Sequence, residues 1–173
     1  HVDDLLVIGN RDMLKTFYKE LTKFLAVKQN PILEEGMEQP LLGRIIGKTA
    51  KGFYVRNTDK LYKEILETVN LTNGKAAKLP ASKGEKKRQE ETEMDDESMF
   101  QYRQAVGKLL FYATERLDIQ FPVKELSRGM CAPTFEDFER LKRVCRYLIG
   151  TKGWRLYLHP TESSEIIGWS DSD

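Results

Sequence analysis

The 173-residue sequence predicts an α+β fold on three observations. Hydrophobic residues make up 40% of the chain and charged residues 32%, which is typical of a globular protein with a solvated surface. Two strand-like runs, residues 41–46 and 53–55, flank a Lys51-Gly52 turn, and this spacing is typical of a β-hairpin. Apolar residues elsewhere recur at helical spacing. A hairpin followed by a series of helices indicates the α+β class.

The hairpin lies between two predicted helices. Residues 5–9 form an apolar run that predicts a buried strand, and Asn10 after it is a suitable helix cap. The apolar positions of the first helix are Leu14, Phe17, Leu21 and Phe24. We expect this apolar face to pack on the sheet that contains the opening strand. The apolar positions of the second helix, which runs to about residue 71, are Leu61, Ile65, Leu66 and Val69.

Residues 72–98 are strongly polar. A basic run of Lys75, Lys78, Lys83, Lys86, Lys87 and Arg88 precedes an acidic run of Glu90, Glu91, Glu93, Asp95, Asp96 and Glu97. Such a stretch buries too little apolar surface to offset its ordering entropy. The sequence therefore predicts a mobile charged linker that separates two lobes.

The chain after this stretch is mainly helical. Residues 100–114 and 119–130 each carry an apolar stripe at helical spacing. Thr134 and Asp137 resemble a capping box, and the helix that they predict ends at Gly150. Strand-like runs then follow at residues 154–158 and 166–170.

Bulk properties narrow the function classes. Lys plus Arg number 28 against 27 for Asp plus Glu, so only a local patch could bind nucleic acid. Cys131 and Cys145 fit reduced thiols better than a disulfide framework, and the two histidines are not spaced for zinc. The sequence has no apolar run of roughly 18 residues and no signal peptide, so we expect an intracellular protein without a membrane span. It also lacks an initiator Met, which predicts an internal piece of a longer polyprotein.

An acidic pair, Asp3 and Asp4, stands directly before the opening strand. Adjacent carboxylates at a rigid hairpin can hold paired metal ions for phosphoryl transfer, and hard cations such as Mg²⁺ prefer these oxygen ligands. The alternative is an ordinary turn or cap, a common role for aspartate.

Basic residues on the last helix form a possible nucleic-acid surface. They are Arg140, Lys142, Arg143 and Arg146, to which Arg116, Lys124 and Arg128 can be added. Such a stripe would follow the phosphates of an RNA–DNA hybrid. The alternative is a solvated helix face in which these cations pair with Glu136, Asp137 and Glu139.

The order of several segments resembles the reverse transcriptase region of copia-type LTR retrotransposon polyproteins. The segments are residues 1–4 (HVDD), 42–46 (LGRII), 79–82 (LPAS), 102–112 (YRQAVGKLLFY), 116–119 (RLDI), 126–128 (LSR), 141–151 (LKRVCRYLIGT) and 168–173 (GWSDSD). They are spread along the chain from its first residue to its last. The resemblance implies a palm-type β-hairpin with a packed helix and a second hairpin in residues 1–71. It implies a charged linker at 72–98, a helix-rich thumb and connection lobe at 99–151, and the start of a ribonuclease H sheet at 152–173.

The resemblance also implies roles for individual residues. Asp3 and Asp4 would be catalytic ligands of Mg²⁺ (or Mn²⁺) in an RNA-directed DNA polymerase, and Asp171 would be a metal ligand of ribonuclease H. His1 replaces the family's usual Tyr near the primer. The charge pattern of the last predicted helix, and not the resemblance, makes Arg140, Arg143 and Arg146 candidate nucleic-acid contacts. Both active sites would be incomplete in this chain, so we expect it to be inactive alone.

The partners implied are an RNA template, the RNA–DNA hybrid, deoxynucleotide triphosphates and the remainder of the polyprotein. The location implied is particle-associated in the cytoplasm, with the nucleus as a further site. Two alternatives stay open: a decayed or co-opted, non-enzymatic remnant that binds nucleic acid or a partner, and a generic helical interaction domain.

Overall fold

A computed structural model describes residues 5–28, 30–81 and 94–159 of the chain. The elements in chain order are α1 (Arg11–Leu21), β1 (Glu38–Leu41), β2 (Arg44–Thr49), β3 (Gly52–Asn57), α2 (Asp59–Thr68), α3 (Asp96–Tyr112), a 3-10 helix (Leu117–Ile119), α4 (Gln120–Arg128), α5 (Phe135–Gly150) and β4 (Leu156–Leu158). The predicted α+β class is confirmed. None of the helices in these three ranges is both long and apolar enough to cross a bilayer.

The strands form one antiparallel sheet in the order β1-β2-β3-β4. The predicted hairpin is confirmed as β2 and β3, in which Thr49 pairs with Gly52. The predicted strand at 41–46 is wrong in one respect, because Leu42 and Gly43 interrupt it. Both residues have positive φ, 48° and 75°, as a two-residue turn between β1 and β2 requires. This conformation is easy for glycine but costly for leucine, so the sequence gives little sign of the turn.

The last strand returns to the hairpin. Val55 and Phe53 of β3 pair with Leu156 and Leu158 of β4. The sequence prediction placed residues 152–173 at the start of a separate domain, whereas residues 156–158 extend the hairpin sheet. The predicted strand at 166–170 lies outside the described residues.

The main core is helical. Side chains of α2, α3, the 3-10 helix, α4 and α5 form a single buried cluster, and its largest fully buried members are Tyr102, Ile65, Leu109, Ile119, Leu141 and Leu148. The cluster joins α2, assigned by sequence to the first lobe, with helices assigned to the second. Helix α3 begins inside the predicted linker, because the Asp95 carboxylate accepts a hydrogen bond from the Ser98 backbone N–H and caps the helix. The domain boundaries as a whole stay a prediction.

The region around α1 is different. The helix and its Asn10 cap are confirmed, yet none of its residues is buried. The strand predicted at residues 5–9 is wrong, because these residues are irregular and Ile8 is 85% exposed. A strand needs a neighbour to accept its backbone hydrogen bonds, and in the described parts of the chain no strand pairs with this run. An apolar run in the sequence therefore does not predict a strand unless a neighbouring strand is present to pair with it.

Candidate nucleic-acid interface

Four of the predicted site residues, His1, Asp3, Asp4 and Asp171, lie outside the described residues. Their metal-binding and primer-contacting roles stay predictions. Within residues 5–28, 30–81 and 94–159, no group of three or more His, Cys, Asp or Glu side chains is placed to hold a metal ion. The remaining predicted site residues lie on α5.

Helix α5 begins with the capping box that the sequence predicts. The Thr134 hydroxyl accepts from the Asp137 N–H at 3.2 Å, and the Asp137 carboxylate accepts from the Thr134 N–H at 3.3 Å. Apolar side chains at helical spacing then bury one face against α3 and α4, including Leu141, Val144 and Leu148. This packing turns the basic residues to the outer side of the helix, where all four are half-buried.

Two of these basic residues are neutralised by neighbours on the same helix. Arg140 contacts Glu136 at 2.9 Å and Asp137 at 3.6 Å, and Lys142 contacts Glu139 at 2.8 Å. The acidic partners lie toward the N-terminus of α5, where the helix dipole also favours negative charge. For Arg140 and Lys142 the solvated, ion-paired alternative therefore describes the contacts.

Arg143 and Arg146 differ from them. Among the described residues, neither makes an ion pair with a carboxylate, and the buried Nε of Arg143 has no hydrogen-bond partner there. Every other arginine in these ranges has a hydrogen-bond, ion-pair or ring partner. On α5, the unneutralised part of the predicted stripe is thus reduced to Arg143 and Arg146.

The wider stripe that the sequence suggested loses Arg116, whereas Lys124 and Arg128 are exposed or largely exposed on α4. Arg116 is buried, with 3% of its side chain exposed, and donates to the Asp118 carboxylate and to the Thr151 hydroxyl and carbonyl. Burial alone would raise the pKa of Asp118, but hydrogen bonds from Arg116 and Tyr147 outweigh it and lower the pKa. Arg116 therefore joins the 3-10 helix to the end of α5 and is not a surface cation. On α4, Arg128 is paired with Glu125 at 2.9 Å.

Two lysines that the sequence assigned to the linker lie beside α5. The segment after α2 runs along the helix, and the Ala77 N–H donates to the Arg146 carbonyl at 3.0 Å. Gly74 allows this approach, because a Cβ there would lie 3.1 Å from the Ile149 side chain. Lys75 and Lys78, both exposed, lie within two residues of this backbone contact with Arg146. The only signal in the sequence is the run of small residues at 74, 76 and 77.

A groove opens between the end of α2, the start of α3 and the outer side of α5. Its volume is about 370 Å³, and Arg146 and Lys142 line it together with Phe135, which is 47% exposed. Phe138 forms the inner wall, with the Lys142 ammonium 4.9 Å from its ring centre. Basic, aromatic and polar side chains therefore converge on one concave surface.

Helix α3 has a second surface that the sequence did not indicate. Phe100, Leu110 and Phe111 are large apolar residues that stay 39–65% exposed. The Arg44 guanidinium lies 4.5 Å from the ring centre of Phe111, next to the β1-β2 turn. Leu110 and Phe111 are neighbours, whereas Phe100 lies about three turns away on the same helix.

Comparison with known proteins gives relatives over the full length of the chain. The chain is 28% identical over 175 residues to the retrovirus-related Pol polyprotein from transposon RE2 of Arabidopsis thaliana, and covers 12% of that protein. It is 29% identical over 182 residues to the retrovirus-related Pol polyprotein from transposon TNT 1-94 of Nicotiana tabacum, and covers 13% of it. An uncharacterized mitochondrial protein of Arabidopsis thaliana is 28% identical over 174 residues, 69% of its length.

The chain thus spans about an eighth of the Pol polyproteins that it matches. No family model matches the chain. No solved structure matches it significantly.

Proposed function

Because the chain is related over its whole length to retrovirus-related Pol polyproteins of copia-type transposons, we propose that it is a section of an RNA-directed DNA polymerase within such a polyprotein. The predicted resemblance to retrotransposon polyproteins is confirmed by these relatives. The full-length match is the observation that carries the proposal. The acidic pair ahead of an apolar run is the feature of the sequence that directs it toward reverse transcription.

The proposed metal ligands are Asp3 and Asp4, with Asp171 serving a ribonuclease H site. Carboxylate oxygens suit Mg²⁺ or Mn²⁺, which would polarise the phosphate and hydroxyl oxygens of nucleotide and primer. His1 would lie near the primer terminus. The proposal places further metal ligands outside these 173 residues, so we expect the chain alone not to extend a primer.

The proposed nucleic-acid contacts are those of α5. Arg143 and Arg146 lack carboxylate partners among the described residues, so binding a phosphate does not require an existing ion pair to break. Arg140 is paired with Glu136 and would contribute less. The ligands are an RNA–DNA hybrid and its RNA template, with deoxynucleotide triphosphates as substrates.

The remainder of the polyprotein is the proposed protein partner. Helix α1 buries none of its residues, and the apolar side chains of α3 described above stay exposed. Contact with neighbouring parts of a longer chain would remove the apolar side chains of both surfaces from water, which is favourable. The proposed place of action is inside the cell, in cytoplasmic particles and the nucleus.

A second candidate is a non-enzymatic module that binds nucleic acid or a partner. A match of nearly equal length makes up 69% of the mitochondrial relative but 12% of the RE2 polyprotein, so the mitochondrial relative is several times shorter. A section of this kind therefore also occurs in a much smaller protein.

Primer extension by the longest polypeptide that the gene encodes separates the two candidates. With an RNA template, Mg²⁺ and deoxynucleotides, we expect extension that Asp3→Asn or Asp4→Asn reduces by several orders of magnitude. The control is Asp12→Asn, in the exposed first turn of α1, which should leave extension unchanged. Extension that survives both substitutions contradicts the proposal. Nucleic-acid binding without extension favours the non-enzymatic module.

A further inference from the structure

We propose that the groove between α2, α3 and α5 binds single-stranded nucleic acid, with one unpaired base inside and the neighbouring phosphates on a basic rim. The basic rim consists of Arg146, which lines the groove, of Arg143 one turn away on α5, and of Lys75 and Lys78 on the segment hydrogen-bonded to the Arg146 carbonyl. This inference rests on the proposed function only in its ligand class, nucleic acid. It narrows that class to an unpaired strand.

Within residues 5–28, 30–81 and 94–159, no carboxylate forms an ion pair with the rim. Arg143 and Arg146 are the two arginines of these ranges whose side chains have no hydrogen-bond, ion-pair or ring partner there, and Lys75 and Lys78 make no ion pair there either. One acidic residue, Glu139, lines the groove, and it is held by Lys142 at 2.8 Å. A polyanion that enters the groove would therefore meet Arg146 and one neutralised carboxylate, with Arg143, Lys75 and Lys78 nearby and the exposed carboxylates of Asp95, Asp96 and Glu97 at the start of α3.

The shape of the groove favours a base over a duplex. A volume of about 370 Å³ accommodates one base with its sugar, whereas the bases of a duplex stay stacked and paired. Phe135 offers an exposed ring for stacking at the mouth of the groove. Gln101 of α3 offers a side-chain amide to the edge of a base, and the Ser98 hydroxyl, which donates to Asp95 at 2.8 Å, can still accept a hydrogen bond.

The walls of the groove are held in place before any ligand arrives. Phe135 is the first residue of α5, directly after the capping-box residue Thr134. Asp95 caps α3 just before Ser98, and the bond from Ala77 to Arg146 fixes the segment that carries the two lysines. A preformed site loses less conformational entropy on binding than one that must fold around its ligand.

Fluorescence anisotropy with the purified 173-residue chain tests the inference. The probes are a labelled single-stranded RNA 20-mer, its DNA counterpart and a blunt RNA–DNA hybrid of the same length at low salt. Phe135→Ala should weaken single-strand binding roughly fivefold or more, the loss typical of one stacked base, and leave hybrid binding unchanged. The matched control is Phe121→Ala on α4, a 70% exposed ring outside the groove, which should change neither affinity.

Charge variants complete the design. The double variant Arg143→Ala and Arg146→Ala should weaken single-strand binding and flatten its salt dependence, unlike Lys60→Ala with Lys63→Ala on the exposed side of α2. Far-UV circular dichroism checks that each variant is folded. Equal effects of Phe135→Ala and Phe121→Ala, or no single-strand binding at low salt, overturn the inference.

Failure of this inference and failure of the proposed function are distinguishable. If hybrid binding depends on Arg143 and Arg146 while Phe135→Ala leaves single-strand affinity unchanged, single-strand binding in the groove is contradicted. The polymerase proposal is then unaffected. Primer extension that survives Asp3→Asn, together with Phe135-dependent single-strand binding, contradicts the polymerase proposal but supports the groove.

Discussion

Helices α1 and α5 are equally clear in the sequence, yet their surroundings differ. Asn10 caps α1 and Thr134 caps α5, and both helices carry an apolar stripe. Six residues of α5 are buried, whereas none of α1 is. Caps and spacing are local properties and predict that a helix forms. Burial depends on what the rest of the protein supplies to cover the stripe.

The largest expected contrast is in core truncation. Leu141→Ala on α5 removes a fully buried side chain and should lower the free energy of unfolding by about 2–5 kcal/mol in urea. Phe17→Ala on α1, where the ring is 46% exposed, should lower it by less than about 1 kcal/mol. An equal loss from both substitutions would mean that α1 is packed in solution.

Removing the arginine of a buried ion pair should likewise lower the free energy of unfolding more than removing the arginine of an exposed pair. Arg116→Ala leaves Asp118 and Thr151 without their partner and should cost about 3 kcal/mol of unfolding free energy. Arg128→Ala breaks an ion pair whose arginine is 66% exposed and should cost less than about 0.5 kcal/mol. Chemical denaturation of both variants measures the difference, and similar costs would contradict the burial of Arg116.

Removing the two helix caps sharpens the comparison further. Thr134→Ala should cost about 1 kcal/mol of global stability, because α5 belongs to the core cluster. Asn10→Ala should reduce the helical signal of α1 in circular dichroism without moving the main unfolding transition. A global loss from Asn10→Ala as large as that from Thr134→Ala would show that α1 unfolds together with the core.

The smallest effect concerns pH. The hydrogen bond from Arg56 lowers the pKa of Glu38 from 4.5 to about 2, against the opposing effect of burial. A lowered folded-state pKa means that this pair stabilises the protein above about pH 4.5 and that the contribution is lost as pH falls toward 2. The pair is partly exposed, so the contribution should be below about 1 kcal/mol. The free energy of unfolding should change less between pH 6 and pH 3 in Glu38→Gln than in the unchanged chain. An equal change in both proteins would contradict the ion pair between Glu38 and Arg56.

Local signals in the sequence were sufficient for most helices and for the β2-β3 hairpin. They failed where a distant contact decides the outcome. Residues 5–9 lack a neighbouring strand, and Leu42 adopts a positive φ that leucine rarely takes. The burial of Arg116 and the placement of Lys75 beside α5 depend on tertiary packing, so no spacing rule indicates them. The predicted acidic site at Asp3 and Asp4 lies outside the described residues and keeps the status of a prediction.

The pairing of β4 with β3 has a practical consequence for anyone who shortens this protein. Residues 156–158 cover backbone amides and carbonyls of the hairpin, although about a hundred positions separate the two strands along the chain. A truncation after α5 would leave β3 as an open edge, to which a strand from another molecule can bind. Such a truncated protein should self-associate. Its oligomeric state would then result from the truncation and would not describe the full chain.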